Sequence, residues 1–418
     1  MISEQLSEGK EIYAGLICPK CGTKYVIAPP PVCTRCSENS LKFSALYDLS
    51  RLREAVSRDL FKQRPPTMWK YRELLPIVLD KNVVSMGEGW TPLVRTETLA
   101  SKLGVKNLYV KNDFAMPTLS FKDRGSSCGI SKAQELALKR IGVVSSGNAG
   151  SSFAAYAARA GISCLVLVPE VAPSEKLAQI AAYGQKLVRI RGGLDQARTL
   201  LENARNELGI MPLNTSVLRS YYKEGMKTLA FELCEQFGWN PPDWILIPSG
   251  SGSSLFGAWK GFIEFKELGL IEHCPRLVAV QTQAAQAIVK GVSERSISAP
   301  SSSSTAATAL SVRDPPELEW VVRAIEDSKG AAVAVKENAL RSAQKELSKS
   351  EGILAEPAGA IGIAAVSDLI DHGIVDANEE IVCVVTGAGL KDIKSLQVEV
   401  PEPPTIDPNI QELKRVIR

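Results

Sequence analysis

The sequence predicts an α/β protein built on a mostly parallel sheet, and three observations carry that expectation. From residue 80 onward, short β-branched apolar runs alternate with longer amphipathic stretches. The apolar runs are continuous rather than alternating, as in strands covered on both faces. Three of them end in glycine-rich turns, VVSSGNAGSS, LIPSGSGSSLFG and VVTGAGLKD, and open α/β sheets collect ligands at the carboxyl ends of strands. At 418 residues one core does not suffice, so two large domains and a small accessory unit are expected.

The accessory unit comes first. ICPKCGTKYVIAPPPVCTRCSENS holds two Cys-x-x-Cys pairs, Cys18 with Cys21 and Cys33 with Cys36, around a short Pro-rich hairpin. That spacing fits a tetrahedral thiolate site for structural zinc, with all four positions filled by protein. Gly22 allows the tight turn after the first pair. Four reduced thiols without metal are the alternative; a redox dithiol is disfavoured, because neither pair opens a helix after a strand. The other five of the nine cysteines stand singly in apolar or helical context, where cysteine behaves as a small hydrophobe. A ribbon that binds nucleic acid needs a basic, aromatic surface. The flank is only mildly basic and the whole chain carries a net charge of +3, so neither nucleic acid nor an anionic membrane is an expected partner. The opening MISEQLSEGKEIYAG shows no signal pattern, and no apolar run is long enough to span a bilayer. A soluble, cytoplasmic protein is expected.

In the main body, NLYVKND, RIGVVSSGN, SCLVLVP, KLVRIRG, DWILIPSGSG, RLVAVQT and EIVCVVTGAG read as buried parallel strands. SSFAAYAARAG, EGMKTLAFELCEQFG and KENALRSAQKELSKS read as helices between them, and the Ser-rich SISAPSSSSTAATA as a surface loop. The glycine turns suit a phosphate held by helix-start amides. Gly250, Gly252 and Gly257 resemble a dinucleotide fingerprint, yet the next strand ends in Gln281 and Thr282 and offers no acid for a ribose hydroxyl. No Gly-Lys-Ser/Thr closes a loop either. SFKDRG sets Lys122 between Phe121 and Asp123 at a helix start. Alone, that fits an ordinary helix start with an exposed lysine as well as it fits a site; beside three glycine loops it points to a cofactor with one phosphate and one aldehyde, pyridoxal 5'-phosphate.

SFKDRG, SSGNAGSSFAAYAARAG, the serine/glycine loop after IP, and VVTGAGLKD together resemble the fold-type II pyridoxal-phosphate enzymes. MWKYRELLP, GEGWTPLV, EGMKTLAFEL, ALSVRDPP, EPAGA and the leading cysteines resemble the threonine synthase family within them, from about residue 15 to 395. The resemblance implies a tryptophan synthase β-like fold: a zinc-ribbon-like segment (1–45), a large α/β domain (46–112 and 235–418) and a small mobile one (113–234). It implies that Lys122 is the Schiff-base lysine and later moves protons, while Asp123 and Arg124 pair to anchor the helix. It implies that Asn148 meets the cofactor's phenolic oxygen, that Gly250, Ser251, Gly252, Ser253 and Ser254 cradle its phosphate, and that Thr386 meets the pyridine nitrogen. Ser145 and Ser146 fall where the family binds the substrate carboxylate. A homodimer follows from family habit.

The family converts O-phospho-L-homoserine and water to L-threonine and phosphate, and usually meets the substrate phosphate with an arginine. Tyr222 stands at that place here, with Arg219 one turn away as a substitute. Ala149 and Ala388 are further departures. The alternative is therefore a relative that performs β-replacement or β-elimination, such as a cysteate-synthase-like enzyme on O-phosphoserine and sulfite, or a hydroxyamino-acid dehydratase.

Overall fold

The computed structural model describes residues 12–26, 30–172, 174–302, 304–397 and 402–417. Most of the N-terminal stretch inspected for a signal pattern lies outside them, as do parts of the Pro-rich hairpin and of the Ser-rich stretch.

The cysteine segment forms an antiparallel sheet of β1 (Tyr13–Ile17), β2 (Lys24–Tyr25) and β3 (Ser44–Tyr47), ordered β2-β1-β3. Gly15 has φ +110, and a Cβ there would lie 2.2 Å from the Tyr25 carbonyl oxygen. Only glycine admits that bend in the central strand. The segment is tied to the body by donors reaching its backbone: Ser220 Oγ to Ser40 O (2.9 Å), Lys223 Nζ to Leu41 O (2.9 Å) and Lys260 Nζ to Ala45 O (2.9 Å).

β4 (Leu93–Arg95) and β5 (Asn107–Asn112) precede β6 (Arg140–Val144), β7 (Ser163–Pro169), β8 (Lys186–Ile190) and β9 (Met211–Pro212). β10 (Trp244–Pro248), β11 (Arg276–Thr282), β12 (Ser296–Ile297), β13 (Ala331–Val335) and β14 (Glu380–Val385) follow. They make two sheets. The larger runs β12-β13-β11-β10-β14-β5-β4, parallel except for β4; the smaller runs β8-β7-β6-β9, all parallel. All seven expected strands are present. KLVRIRG differs in burial: as β8 it is an edge strand, half exposed along its length. β13, AAVAV, is fully buried; its alanines carry little strand propensity, which hid it from the sequence reading.

The helices that matter for the site are α1 (Lys122–Glu135), α2 (Asn148–Ala160), α3 (Ser174–Ala182), α4 (Leu194–Leu208), α5 (Leu218–Met226), α6 (Thr228–Gln236) and α7 (Ser253–Glu267). α8 (Glu337–Glu351) and α9 (Pro357–Asp371) complete them. EGMKTLAFELCEQFG is not one helix; it breaks at Lys227 between α5 and α6. There Thr228 Oγ1 donates to the Gly225 carbonyl (2.8 Å), a side-chain bond that competes with the helix ladder. Among the described residues, no helix is long and apolar enough to cross a membrane.

Candidate active site

Lys122 is placed by the strand it faces. Phe121 N–H donates to the Thr386 carbonyl (3.0 Å), Ala388 N–H donates to the Leu119 carbonyl (3.1 Å), and Ser120 bridges Gly387. The turn before α1 is thus zipped to the turn after β14, which sets Lys122 beside Thr386. Asp123 and Arg124 lock the helix start in another way than expected, for they do not pair with each other. Asp123 accepts from Thr118 N (2.7 Å), Thr118 Oγ1 (2.5 Å) and Ser152 Oγ (2.6 Å), joining α1 to α2. Arg124 bonds Asp113 and Glu232, and Lys111 Nζ reaches the same Glu232 at 2.9 Å. The reason is balance: Asp113 and Glu232 are wholly buried, and buried carboxylates need cations at bonding distance.

Lys122, Ser145, Ser146, Asn148, the loop from Gly250 to Ser254, and Thr386 all line one cleft of about 730 Å³. It opens where β6, β10 and β14 end, as the crevice rule requires. Ser145 Oγ accepts N–H bonds from Gly147 (3.3 Å) and Gly150 (3.1 Å) at the start of α2, so its own proton remains to be donated. Asn148 Nδ2 donates to Glu356 Oε1 at 2.9 Å. At the start of α7, Gly252 has φ +89, and a Cβ there would meet the Val321 side chain at 2.6 Å; one at Gly250 would meet the Ala309 carbonyl at 2.9 Å.

Arg219, expected toward the substrate, points elsewhere. Its guanidinium donates to Ser253 Oγ (3.1 Å) and to Glu317, which Lys223 also approaches at 3.7 Å. Glu317 is buried and itself touches Ser253 (3.3 Å). A carboxylate there repels an anion on the loop unless it is neutralised, and Arg219 neutralises it.

Burial first, and the Arg219 charge second, push the Lys122 pKa down from 10.5 to about 8, against the pull of Glu356 and Glu317. Lys391, also on the cleft wall, falls to about 8, mainly by burial. Two wall residues escaped the sequence reading although their motifs were in view. Glu356 stands before Pro357 in EPAGA, and Lys391 ends the GLK of the third glycine turn. The end of the Ser-rich stretch and the residues after it also escaped: Ala306 and residues Thr308 to Val312 line the cleft, with Thr308, Ala309 and Ser311 at the surface as expected of a loop.

A sequence model of the pyridoxal-phosphate dependent enzymes matches residues 84–387. The chain is 37% identical to threonine synthase of Methanocaldococcus jannaschii, over 96% of this chain and 98% of that protein. It is 35% identical to threonine synthase of Methanosarcina acetivorans, over 96% and 98%. Among solved structures, maize serine racemase superposes with a TM-score of 0.62 at 21% identity, covering 78% of this chain and 94% of that one. That likeness speaks for the fold alone. The chain belongs to the threonine synthase family of pyridoxal-phosphate-dependent enzymes.

The residues present fit the cofactor that this family uses. Gly250 and Gly252 let the loop pack tightly where a Cβ would strike Ala309 and Val321, and the α7 amides that follow suit a phosphate. Lys122 supplies a buried amine, and Thr386, 3% exposed, caps the end of β14. A cysteine cluster precedes the catalytic body. The Sγ atoms of Cys18, Cys21, Cys33 and Cys36 lie within 4.8 Å of one another, with Cys18–Cys36 at 3.6 Å and Cys21–Cys33 at 3.5 Å. Sulfurs around a tetrahedral zinc lie about 3.8 Å apart, so the four are gathered at the scale of a metal site.

Proposed function

We propose that this protein converts O-phospho-L-homoserine and water to L-threonine and phosphate. The observation that carries the reading is the likeness to threonine synthases along nearly the whole chain, joined to a cleft that gathers ten of the expected site residues. In net terms the Cγ–O bond to phosphate breaks, Cβ loses a proton and takes a hydroxyl from water, Cγ gains a proton to become the methyl group, and the remaining proton of water leaves with the phosphate.

Pyridoxal phosphate, when bound, supplies an electron sink for negative charge at the substrate's α carbon. The protein does the rest. The loop from Gly250 to Ser254 holds the cofactor phosphate, and Arg219 keeps that corner from turning anionic. Thr386 would meet the ring nitrogen as a neutral hydroxyl, and Asn148, steadied by Glu356, would meet the phenolic oxygen. Ser145 and Ser146 hold the substrate carboxylate at the start of α2. Lys122 would take and return protons at the α and β carbons; a pKa near 8 leaves part of it neutral at physiological pH.

The smaller sheet lies within residues 113–234, which we assign to a domain that closes over substrate and excludes water until the hydration step. Cys18, Cys21, Cys33 and Cys36 hold a structural zinc, and the enzyme works as a homodimer in the cytoplasm. The competing reading, β-replacement on O-phosphoserine, draws on one departure: Tyr222 stands where the family has its phosphate arginine, buried with its ring against Gly125. Assay of both substrates decides. Equimolar phosphate and threonine from O-phospho-L-homoserine is the expected result; faster phosphate release from O-phosphoserine with sulfite would overturn it.

A further inference from the structure

If Arg219 serves the corner at Ser253, something else must meet the phosphate of the substrate. Among the described residues, the cleft wall carries three cations, Lys122, Arg198 and Lys391. Lys122 is committed to the cofactor. Arg198 lies toward the solvent on α4 and is paired with Asp195 at 2.8 Å, both side chains being exposed. That leaves Lys391.

Lys391 is half-buried on the turn after β14, five residues beyond Thr386. Its ammonium donates to the Thr118 carbonyl (2.8 Å), to Ser151 Oγ (3.1 Å) and to Gln179 Oε1. All three partners are neutral. Glu356 and Asp123 act on it only as nearby charges that favour its protonated form. The contrast with Arg124, Lys111 and Arg219 is plain, since each of those is bonded to a carboxylate. A half-buried ammonium held only by neutral acceptors has attraction left for an anion.

We propose that Lys391 is the specificity-determining residue for the phosphorylated substrate, its ammonium taking the phosphate that leaves from Cγ. This rests on the threonine synthase reaction proposed for the chain. All three protons of the ammonium are already donated, so an arriving phosphate oxygen displaces one acceptor. Gln179 is the one that yields: it is a half-buried side chain on α3, whereas Thr118 offers fixed backbone. A dianion adds attraction between opposite charges to the hydrogen bond, which a neutral amide does not supply, so the exchange favours the phosphate. Once displaced, Gln179 also frees its own bonds to Thr118 O (3.3 Å) and Tyr183 Oη (3.1 Å). Substrate charge is thereby linked to the contact between α3 and the turn after β14. Lys391 also favours departure, because it stabilises the charge that grows on the leaving oxygen.

The test is titration of holoenzyme, followed by the visible absorbance of the cofactor. One ligand is the substrate analogue with a phosphonate in place of the ester phosphate; the other is norvaline, which has the same chain without the anion. Wild-type enzyme should prefer the phosphonate. Lys391→Met should weaken the phosphonate at least tenfold and leave norvaline within about twofold, because it removes a charged partner and not the α-carboxylate site. Gln179→Ala should bind the phosphonate as tightly or more tightly, with norvaline unchanged. If Lys391→Met keeps the preference, or if either variant loses both ligands equally, Lys391 is only a tether and the inference fails. A wild-type enzyme without preference would instead overturn the proposed reaction, and this inference with it.

Discussion

The cluster around Arg124 and the amines of the cleft treat buried positive charge in opposite ways. Arg124 and Lys111 stand against Asp113 and Glu232, two charges of each sign, every one bonded to its opposite. Glu232 is driven down to about 2, chiefly by Arg124 and Lys111 outweighing its burial. Lys122 and Lys391 have no such bonded carboxylate among the described residues, and burial brings both down to about 8. The difference separates architecture from chemistry. Compensated charge fixes where α1 begins; uncompensated amines are left to trade protons and meet anions.

The sharpest break in that comparison is Lys122→Ala. Turnover should fall by about 10³-fold or more, while thermal stability holds, since an amine without a bonded carboxylate contributes little to folding. Substantial remaining turnover would place the proton chemistry elsewhere.

Arg124→Met should do the reverse. Leaving Asp113 and Glu232 buried without their cation costs about 3–5 kcal/mol, read as a lower urea midpoint, with loss of activity following loss of fold. The same cluster sets an acid limit. Because the Glu232 pKa falls on folding from 4.5 to about 2, its stabilisation is present above 4.5 and lost as pH drops toward 2. Glu232→Gln should flatten that part of the stability profile.

Removing metal from the cysteine cluster is expected to have a smaller effect. Chelation of the zinc proposed for this site should lower stability modestly, seen as a small fall in Tm, because the segment remains tied through Ser220, Lys223 and Lys260. Zinc analysis of the purified protein should return one atom per chain. The smallest effect sharpens the cleft side. In apoprotein, Lys122 should react with an amine-directed reagent half-maximally near pH 8, well below an exposed lysine at 10.5, as followed by peptide mapping.

Much of this was legible in the chain itself. Strands such as DWILIP and EIVCVV declare themselves because apolar runs covered on both faces have few other uses. The glycine loops declare themselves because tight backbone approach excludes a Cβ. What stayed hidden depends on long-range partners. No local pattern says that Arg219 turns to Glu317, 98 residues away, or that Arg124 ignores Asp123 for Glu232, 108 residues on. Glu356 and Lys391 sat inside recognised motifs, yet their reach across the cleft to Asn148, Ser151 and Gln179 exists only in three dimensions.

The most direct measurement is to reduce the holoenzyme with borohydride, digest it, and locate the pyridoxyl group by mass spectrometry. The group should sit on the peptide carrying Lys122. Finding it on Lys391, or on no lysine of a fully active preparation, would contradict the division of labour between the two amines.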